Sequence, residues 1–425
     1  MNFNKELFEF IKKSPSAFHT VDTVKNELLE AGYTELFEEN LWNVSDGGKY
    51  FVTRNGTSII AFNYKASANG FMISAAHSDS PAFRLKITPE TVGAYTRLEV
   101  EKYGGMIYSS WFDRALSLAG RVVVKTPDGL ETRLFNIDRD FAVIPNVAIH
   151  MNRTVNEGYK FNPAVDLLPL VASAGEKGSV IEEIANSAKV MKDDIISHDV
   201  FLYNREEGKV FGSKDEYILA PRLDDLECVF ASLKAFLSAK GSGAIPVLAV
   251  FDNEEVGSET KQGAASTFLY DTLNRISENT DSYRRMLANS FMVSMDNAHA
   301  KHPNHPELAD TDNAPIMNEG IVVKWNANQK YTTDGVSDAL FRTVCERCSA
   351  KVQNYYNRAD IPGGSTLGSI SNTKVSVPTV DIGLAQLAMH SATETAGAKD
   401  LEIMISAITE FFSTAIKREG NKLKF

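Results

Sequence analysis

The apolar run "IPVLAVF" at 245–251 is the feature that most restricts the fold of this chain. It lacks the alternation of a half-buried strand and is typical of a strand buried on both faces of a sheet. Two adjacent glutamates, Glu254 and Glu255, follow almost at once. Neighbouring side chains of a strand point to opposite faces. Both glutamates can therefore serve one site only if the chain turns here, and Gly257 would ease such a turn.

Strand and helix patterns alternate around this run, which predicts an α/β fold. The predicted strands include "GFMISAAH" at 70–77, "SFMVSMD" at 290–296 and "TVDIG" at 379–383. Amphipathic patterns predict helices at 5–13, 21–32, 223–241, 334–351 and 401–418. We therefore expect a mixed sheet with helices on both faces.

The middle of the chain has a different pattern, with alternating strands such as "TRLEVEKY" and turns such as "TPDG". One segment within it, 182–195, could form a helix. A chain of 425 residues favours two domains, or one large domain with an insertion. We predict a β-rich insertion at 86–213 and a main domain formed by 1–85 and 214–425.

Composition excludes several classes of protein. The net charge of −11 argues against binding nucleic acid and gives no support to attraction toward anionic membranes. Apolar stretches are too short to span a membrane, and the N-terminus lacks the profile of a signal peptide, so we expect a cytoplasmic protein. Three cysteines do not suggest a disulfide framework. Cys345 and Cys348 form a CxxC pair that could suggest a redox or zinc site, but their helical pattern favours two incidental helix cysteines.

Ionisable residues collect where the predicted strands end. Ligand sites of open α/β sheets form beyond the carboxyl ends of the strands. The residues at these positions are His77, Asp79, Asp224, Glu254, Glu255, Asp296, His299 and His390. Taken singly, each is more simply a helix cap or a solvated loop residue; their joint placement is what favours a site.

Imidazoles and carboxylates without thiolates suit Zn²⁺, Mn²⁺ or Co²⁺. Two histidines and three carboxylates suffice for two metal ions if one carboxylate bridges them, and such a pair polarises a carbonyl and activates a shared water. One further carboxylate must take the proton of that water. We therefore expect one glutamate of "NEE" to bind metal and the other to act as the general base.

Seven motifs extend this interpretation. They are "AAHSDSPAFRLK", "APRLDDLECVF", "VFDNEEVGS", "MDNAHAKHPN", "VVKWNANQKYTTDG", "PGGSTLGSI" and "QLAMHSATET", in this order. Together they closely resemble the aspartyl aminopeptidase family of cocatalytic zinc exopeptidases, and the match covers nearly the whole chain. The resemblance implies an enzyme that releases N-terminal residues from peptides with a free N-terminus, with two divalent metal ions, most simply zinc.

The resemblance also implies a role for each residue. The metal ligands would be His77, Asp224 as the bridging carboxylate, Glu255, Asp296 and His390. Glu254 would be the general base, and Asp79 would orient His77. The positions that align with the substrate pocket are His299, Lys324, Tyr331, Gly364 and Ser365.

For the β-rich insertion, the resemblance implies a dimerisation domain whose dimers assemble into a tetrahedral dodecamer. His150 in "IPNVAIHMNR" resembles the histidine that reaches the active site of a neighbouring subunit. The dodecamer encloses its active sites, which limits substrates to small peptides.

Four positions near the expected pocket depart from the family pattern: Asp225, Asn297, Ser369 and Thr393. The enzyme could therefore prefer either Asp or Glu, or a neutral or hydrophobic residue, as the N-terminal residue of its substrate. Two further alternatives are another cocatalytic metallohydrolase, such as a deacylase, and a self-assembling scaffold. The intact general base argues against the scaffold. A separate metal site at His299, His302 and His305 is conceivable, but the intervening proline favours a loop.

Overall fold

A computed structural model describes residues 2–173, 175 and 178–425. Its α-helices are α1 (Phe3–Lys13), α2 (Ala17–Glu30), α3 (Pro163–Asp166), α4 (Ser179–Ala188), α5 (Leu223–Ser238), α6 (Phe268–Arg275), α7 (Thr280–Ala288), α8 (Gly335–Arg347), α9 (Leu367–Ser371) and α10 (Asp400–Phe412). The first strands of the chain are β1 (Thr34–Leu36), β2 (Lys49–Arg54), β3 (Ser58–Asn63), β4 (Phe71–His77), β5 (Ala82–Val92), β6 (Tyr95–Tyr103), β7 (Leu116–Thr126), β8 (Gly129–Asn136), β9 (Leu170–Ser173), β10 (Ile195–Asn204), β11 (Lys209–Phe211) and β12 (Tyr217–Ala220).

The remaining strands follow α5. They are β13 (Ile245–Phe251), β14 (Phe291–Met295), β15 (Ala298–His299), β16 (Ile321–Trp325), β17 (Val352–Tyr356), β18 (Thr379–Gly383), β19 (Ala385–Leu387), β20 (Glu394–Gly397), β21 (Lys417–Glu419) and β22 (Lys422–Lys424). The predicted α/β class is confirmed.

The largest sheet has nine strands in the order β1-β2-β3-β13-β4-β14-β18-β16-β17. It is mixed: β13, β4, β14 and β18 run parallel to one another, while β3 and β16 are antiparallel to their neighbours β13 and β18. All residues of β13 are buried. Leu248 and Val250 face a core formed with α1, α2, α5, α8 and α10. Val247, Ala249 and Phe251 face a second core formed with α6, α7 and α9. The uninterrupted apolar run is thus explained by helices on both faces, as predicted.

A second sheet has the order β8-β7-β10-β5-β6-β9 and is antiparallel throughout. Its strands lie between Ala82 and Asn204, and α4 packs on it through Val180 and Ile184. The possible helix at 182–195 is present only in its first half: α4 covers Ser179–Ala188 and ends at Lys189, whose backbone is left-handed. The assignment of 86–213 as a separate dimerisation domain stays a prediction.

A third sheet, β11-β12-β20-β19-β15, and a hairpin of β21 and β22 complete the described strands. The predicted last helix, 401–418, was too long: α10 ends at Phe412. The hydroxyls of Ser413 and Thr414 bond back to Thr409 and Glu410 carbonyls, a pattern that competes with helix continuation, and the β21–β22 hairpin follows. In the described part of the chain, no helix is both long and apolar enough to cross a membrane.

Candidate active site

Three parallel strands bring the predicted residues to one edge of the large sheet. In the register of β4 and β13, His77 lies opposite Phe251, the last residue of β13. Glu254 and Glu255 follow Phe251 by three and four residues and therefore lie just beyond the end of the strand, close to His77. On the other side of β4, β14 ends at Met295 and is followed by Asp296. The meeting of these side chains follows from strand direction, because parallel strands end at the same edge.

The chain does turn at the two glutamates, as predicted. Glu254–Val256 form a single 3₁₀ turn between Asn253 at φ 61° and Gly257 at φ 102°. Both flanking residues have left-handed backbone, which glycine and asparagine adopt most readily. As a result, ligand atoms of Glu254 and Glu255 lie with His77 in one cluster whose atoms are all within 4.8 Å of one another.

Asp224, at the start of α5, lies between the two histidines. Its Oδ1 is 3.5 Å from Nε2 of His77, and its Oδ2 is 3.4 Å from Nε2 of His390. Glu255 Oε2 is also 3.4 Å from His390 Nε2. Two ligands that bind one tetrahedral Zn²⁺ at about 2.1 Å lie about 3.4 Å apart. The spacing therefore matches a carboxylate shared by two cations.

The residues group into three overlapping sets of candidate ligands, of which the set of His77, Glu254 and Glu255 is described above. The second set holds His77, Asp224, Asp225 and Asp296, and the third holds Asp224, Glu255 and His390. Oδ1 of Asp224 and Oε1 of Glu255 are buried without a hydrogen-bond partner among the described residues. Buried carboxylates are normally paired or bound to metal. The site fits two divalent cations on this observation and on its imidazole and carboxylate donors.

The electrostatics agree with this fit. Burial and the neighbouring carboxylates raise the pKa of Glu254 to about 8 and that of Glu255 well above its ordinary value. Burial opposes ionisation of Asp224 too, but the neighbouring imidazoles of His390 and His77 hold its pKa below the usual value. Cations at the centre would relieve the repulsion between these carboxylates.

Asp79 contacts several of these residues at once. Its Oδ1 is 3.4 Å from Nδ1 of His77, and its backbone carbonyl is 3.1 Å from the same nitrogen. The backbone N–H groups of Glu254 and Glu255 donate to its two carboxylate oxygens, each at 3.2 Å. Asp79 thus contacts His77 and fixes the turn of the two glutamates; its role in orienting His77 as a metal ligand stays a prediction.

Glu394 is a second carboxylate that holds backbone groups of the site, and it was not predicted. It is 1% exposed. Its Oε1 accepts the backbone N–H of His390 at 2.7 Å, and its Oε2 accepts that of Asp224 at 3.0 Å. One carboxylate therefore fixes the backbones of two candidate ligands. The available signal was its position in "HSATE", four residues after His390.

A cleft of about 180 Å³ opens beside the candidate ligands. This is smaller than the ~300–1,000 Å³ of typical sites for drug-sized ligands, so it suits one or two residues of a peptide. Four candidate site residues line it: Asp224, Glu254, Asp296 and His390. Of the six predicted substrate-pocket residues, His150 is absent from the lining and the other five are present: His299, Lys324, Tyr331, Gly364 and Ser365. Tyr355 and Met389 also line it and were not predicted.

Lys324 brings a buried positive charge to this cleft. Its Nζ is 3.4 Å from Oδ2 of Asp296 and donates to the carbonyl of Asn297 at 3.2 Å. It also lies 5.4 Å from the centre of the Tyr331 ring. Lys324 is 2% exposed, so it is not a strand lysine on a solvated face.

His150 does not reach this site within its own chain. It lies in an exposed turn, away from the cleft lining. His302 and His305 pack against each other, with ring centres 5.3 Å apart, but they belong to no cluster of three metal-ligating side chains in the described residues. The same holds for Cys345 and Cys348.

The four departures from the family pattern have different surroundings. Asp225 accepts the backbone N–H of His77, and the Asn297 amide bonds Glu227 and Gln386 in the buried layer below the cleft. Thr393 receives a hydrogen bond from Arg114. Ser369 lies in α9 and outside the cleft lining. Only Asn297 lines the cleft.

Comparisons with known proteins agree on one family. The family model "Aminopeptidase I zinc metalloprotease (M18)" matches residues 10–412. A probable M18 family aminopeptidase 2 of Clostridium acetobutylicum is 46% identical, over 97% of this chain and 99% of the relative. A cryo-EM structure of the Ape4 and Nbr1 complex contains a similar chain with a TM-score of 0.93, 33% identity, and coverage of 96% of this chain and 85% of that one. The S. cerevisiae mApe1 dodecamer gives a TM-score of 0.85, 27% identity, and coverage of 97% and 96%.

Proposed function

The chain belongs to the M18 family of zinc metalloaminopeptidases, and from this premise we propose a two-metal aminopeptidase that removes N-terminal residues from short peptides. The observation that carries the proposal is the position of Asp224 between His77 and His390, at 3.5 and 3.4 Å. His77, Asp224 and Asp296 would hold one ion, and Asp224, Glu255 and His390 the other. Zinc suits these donors, and Mn²⁺ or Co²⁺ could replace it.

Two divalent ions held at this centre by the candidate ligands would polarise the scissile carbonyl and make a nearby water more acidic. Glu254 lies in the same cluster but is not needed as a ligand, so its carboxylate is free to take the proton of the water. It then delivers that proton to the nitrogen of the leaving amine.

Substrate selection would take place in the cleft. The carboxylates at its base pair with the free α-amine of the peptide, which explains why an N-terminus is required. Lys324 could pair with an acidic first side chain or with the carboxylate of a short peptide. Its existing contact with Asp296 would weaken its attraction for a substrate carboxylate, so a neutral or hydrophobic preference is the second candidate.

The assembly is proposed on the same basis. The turn around His150 exposes Val147, Ile149 and Met151 by 52%, 48% and 83%, an apolar surface of the kind that interfaces bury. We infer homo-oligomers in which His150 enters the cleft of a neighbouring subunit, up to a tetrahedral dodecamer. The cytoplasmic location stays a prediction from the sequence.

Initial rates on aminoacyl-arylamides of Asp, Glu, Leu, Lys and Ala test the activity and its preference. The protein is stripped of metal and reloaded with Zn²⁺, Mn²⁺ or Co²⁺. We expect metal-dependent turnover that falls by roughly 10²–10⁴-fold in Glu254→Gln, with metal binding retained. Turnover of Leu or Ala substrates alone would assign the hydrophobic preference. Cleavage of N-acetylated but not free substrates would instead show a deacylase.

Mixed oligomers test the role of His150. His150→Ala and Glu254→Gln subunits are each expected to have low activity. When they are dissociated and reassembled together, some clefts combine an intact Glu254 with an intact His150 from the neighbour. Recovered activity in the mixture is expected, and light scattering should show twelve copies of the 46.8-kDa chain. No recovery would place His150 outside the active site.

A further inference from the structure

A segment of the second sheet passes directly beside the candidate metal centre. Tyr103 is the last residue of β6, and its hydroxyl donates to Oδ2 of Asp79 at 2.6 Å. The same hydroxyl accepts a hydrogen bond from Nδ2 of Asn253 at 2.8 Å. Tyr103 therefore joins the strand end that carries His77 to the turn that carries the two glutamates.

The contact matters because of what Asp79 touches. The carboxylate that receives the Tyr103 hydroxyl also lies 3.4 Å from His77 Nδ1 and accepts the backbone N–H groups of Glu254 and Glu255. Asp79 is 3% exposed, so water cannot easily replace a lost donor. Any rotation of this carboxylate would shift one ligand of each proposed ion, together with the general base.

The tyrosine ring is itself held in place. It packs edge-on against Phe201 of β10, with ring centres 5.5 Å apart and planes at 82°. Burial and the nearby Asp79 raise its pKa well above the ordinary value, so the hydroxyl keeps its proton and remains a donor to Asp79. A strand of one sheet thus supports the site of another.

The residues after Tyr103 continue along the centre. Gly104 has φ +73°, and a side chain there would begin 3.2 Å from Cβ of Glu255, so glycine suits both the backbone and the space. Farther on, the backbone N–H of Ile107 donates to the carbonyl of His390 at 3.0 Å. Ser110 Oγ accepts the N–H of Ala392 at 2.8 Å. The segment 103–110 therefore contacts ligand-bearing loops on both sides of the proposed pair of ions.

We propose that Tyr103 is a positioning residue for the metal centre, acting through Asp79, and that the segment 103–110 couples the second sheet to metal binding. The inference rests on the proposed two-metal function. Groups that orient metal ligands typically change metal affinity by about 10–100-fold when they are removed. Tyr103→Phe removes the hydroxyl and keeps the ring, so it isolates this contact.

The test compares Tyr103→Phe with Tyr203→Phe. Tyr203 lines the same small cavity behind the site as Tyr103, but its hydroxyl donates to Asn136. Zn²⁺ affinity is measured by competition with a chromophoric chelator, and the geometry of the site by the visible spectrum of Co²⁺-loaded protein. We expect about 10–100-fold weaker Zn²⁺ binding and an altered Co²⁺ spectrum in Tyr103→Phe, and neither change in Tyr203→Phe.

A double-mutant cycle shows whether the effect passes through Asp79. In an Asp79→Asn background, Tyr103→Phe should add little further loss of affinity, because the two residues act as a unit. Full additivity would contradict the proposed route.

Wild-type affinity and spectrum in Tyr103→Phe would overturn the inference and leave the two-metal proposal intact. A wild-type protein that binds no divalent ion would overturn both. If Tyr103→Phe fails to fold, Asp79→Asn measured alone tests the other end of the same hydrogen bond, and wild-type Zn²⁺ affinity in that variant would likewise overturn the inference.

Discussion

At the scale of single residues, the site depends on side chains that combine a reactive role with a fixed orientation. Glu254 and Glu255 are neighbours in sequence, yet the 3₁₀ turn between Asn253 and Gly257 brings ligand atoms of both into one cluster with His77, as the proposed ligand and general base require. Their positions are set by Asp79, which accepts both of their backbone N–H groups. The chemistry of the site therefore extends to residues that hold no metal.

Glu394 provides the residue-scale prediction. Its two carboxylate oxygens accept the backbone N–H groups of Asp224 and His390. In Glu394→Gln one of these oxygens becomes an N–H₂ group, so one of the two backbone N–H groups loses its acceptor. We expect metal affinity to fall by about 10–100-fold, because Asp224 and His390 both lose a fixed backbone. Chelator competition measures this change.

Glu227→Gln is the matched control for that experiment. Glu227 is as buried as Glu394, and burial likewise raises its pKa to about 8, but its hydrogen bond comes from the Asn297 side chain rather than from a ligand backbone. Its replacement should leave metal affinity unchanged. Equal losses in the two variants would show a general effect of buried carboxylates and contradict the role given to Glu394.

At the scale of elements, helix ends fix the walls of the cleft. The helix α8 begins with a capping box, in which Asp334 accepts the N–H groups of Val336 and Ser337 and Ser337 Oγ accepts the N–H of Asp334. The segment just before it carries Tyr331, which lines the cleft. The start of this helix therefore links stability to substrate binding.

Asp334→Ala should lower the free energy of unfolding by about 1 kcal/mol and raise KM, because the loop that carries Tyr331 loses its anchor. Asn279→Ala removes the cap of α7, where Asn279 accepts the N–H of Ser282, away from the cleft. It should destabilise by a similar amount without changing KM. Urea unfolding and steady-state kinetics give the two quantities, and an unchanged KM in Asp334→Ala would refute the link.

A second prediction at this scale concerns pH and α2. Burial lowers the pKa of His19 to about 4, whereas an unfolded histidine has a pKa of about 6.5. Between these values the unfolded state binds more protons than the folded state, so stability falls as the pH drops from about 6.5 toward 4. His19→Gln should reduce this dependence, as measured by urea unfolding at pH 7 and pH 5. Parallel pH profiles of the two proteins would be the contrary result.

At the scale of the whole molecule, metal binding should be coupled to folding. The proposed ligands come from β4, α5 and the segments after β13, β14 and β19, so they meet only in the folded chain. Free Zn²⁺ at 100 times its dissociation constant should stabilise by about 2.7 kcal/mol per site. Unfolding with and without a chelator measures this. His390→Ala, which removes a ligand of one proposed ion, should show a smaller shift; an equal shift would place the ions elsewhere.

Much of the site was predictable from the residues alone. The uninterrupted apolar run required a sheet covered on both faces. Because parallel strands end at the same edge of a sheet, the polar residues that follow these strands were expected to lie close together there. Imidazoles and carboxylates without thiolates led to the prediction of Zn²⁺, Mn²⁺ or Co²⁺. These properties depend on local pattern and on the chemistry of side chains, both of which the sequence contains.

The tertiary structure alone decided which distant groups orient that site. Tyr103 belongs to the second sheet and Glu394 to a short strand after His390. Tyr103 lies outside all seven motifs, and the motif that contains Glu394 does not indicate what its carboxylate contacts. Their roles arise from hydrogen bonds between segments 24 and 170 residues apart in the chain. Local sequence specifies periodicity and turn chemistry, but contacts of this kind exist only once the sheets have packed together.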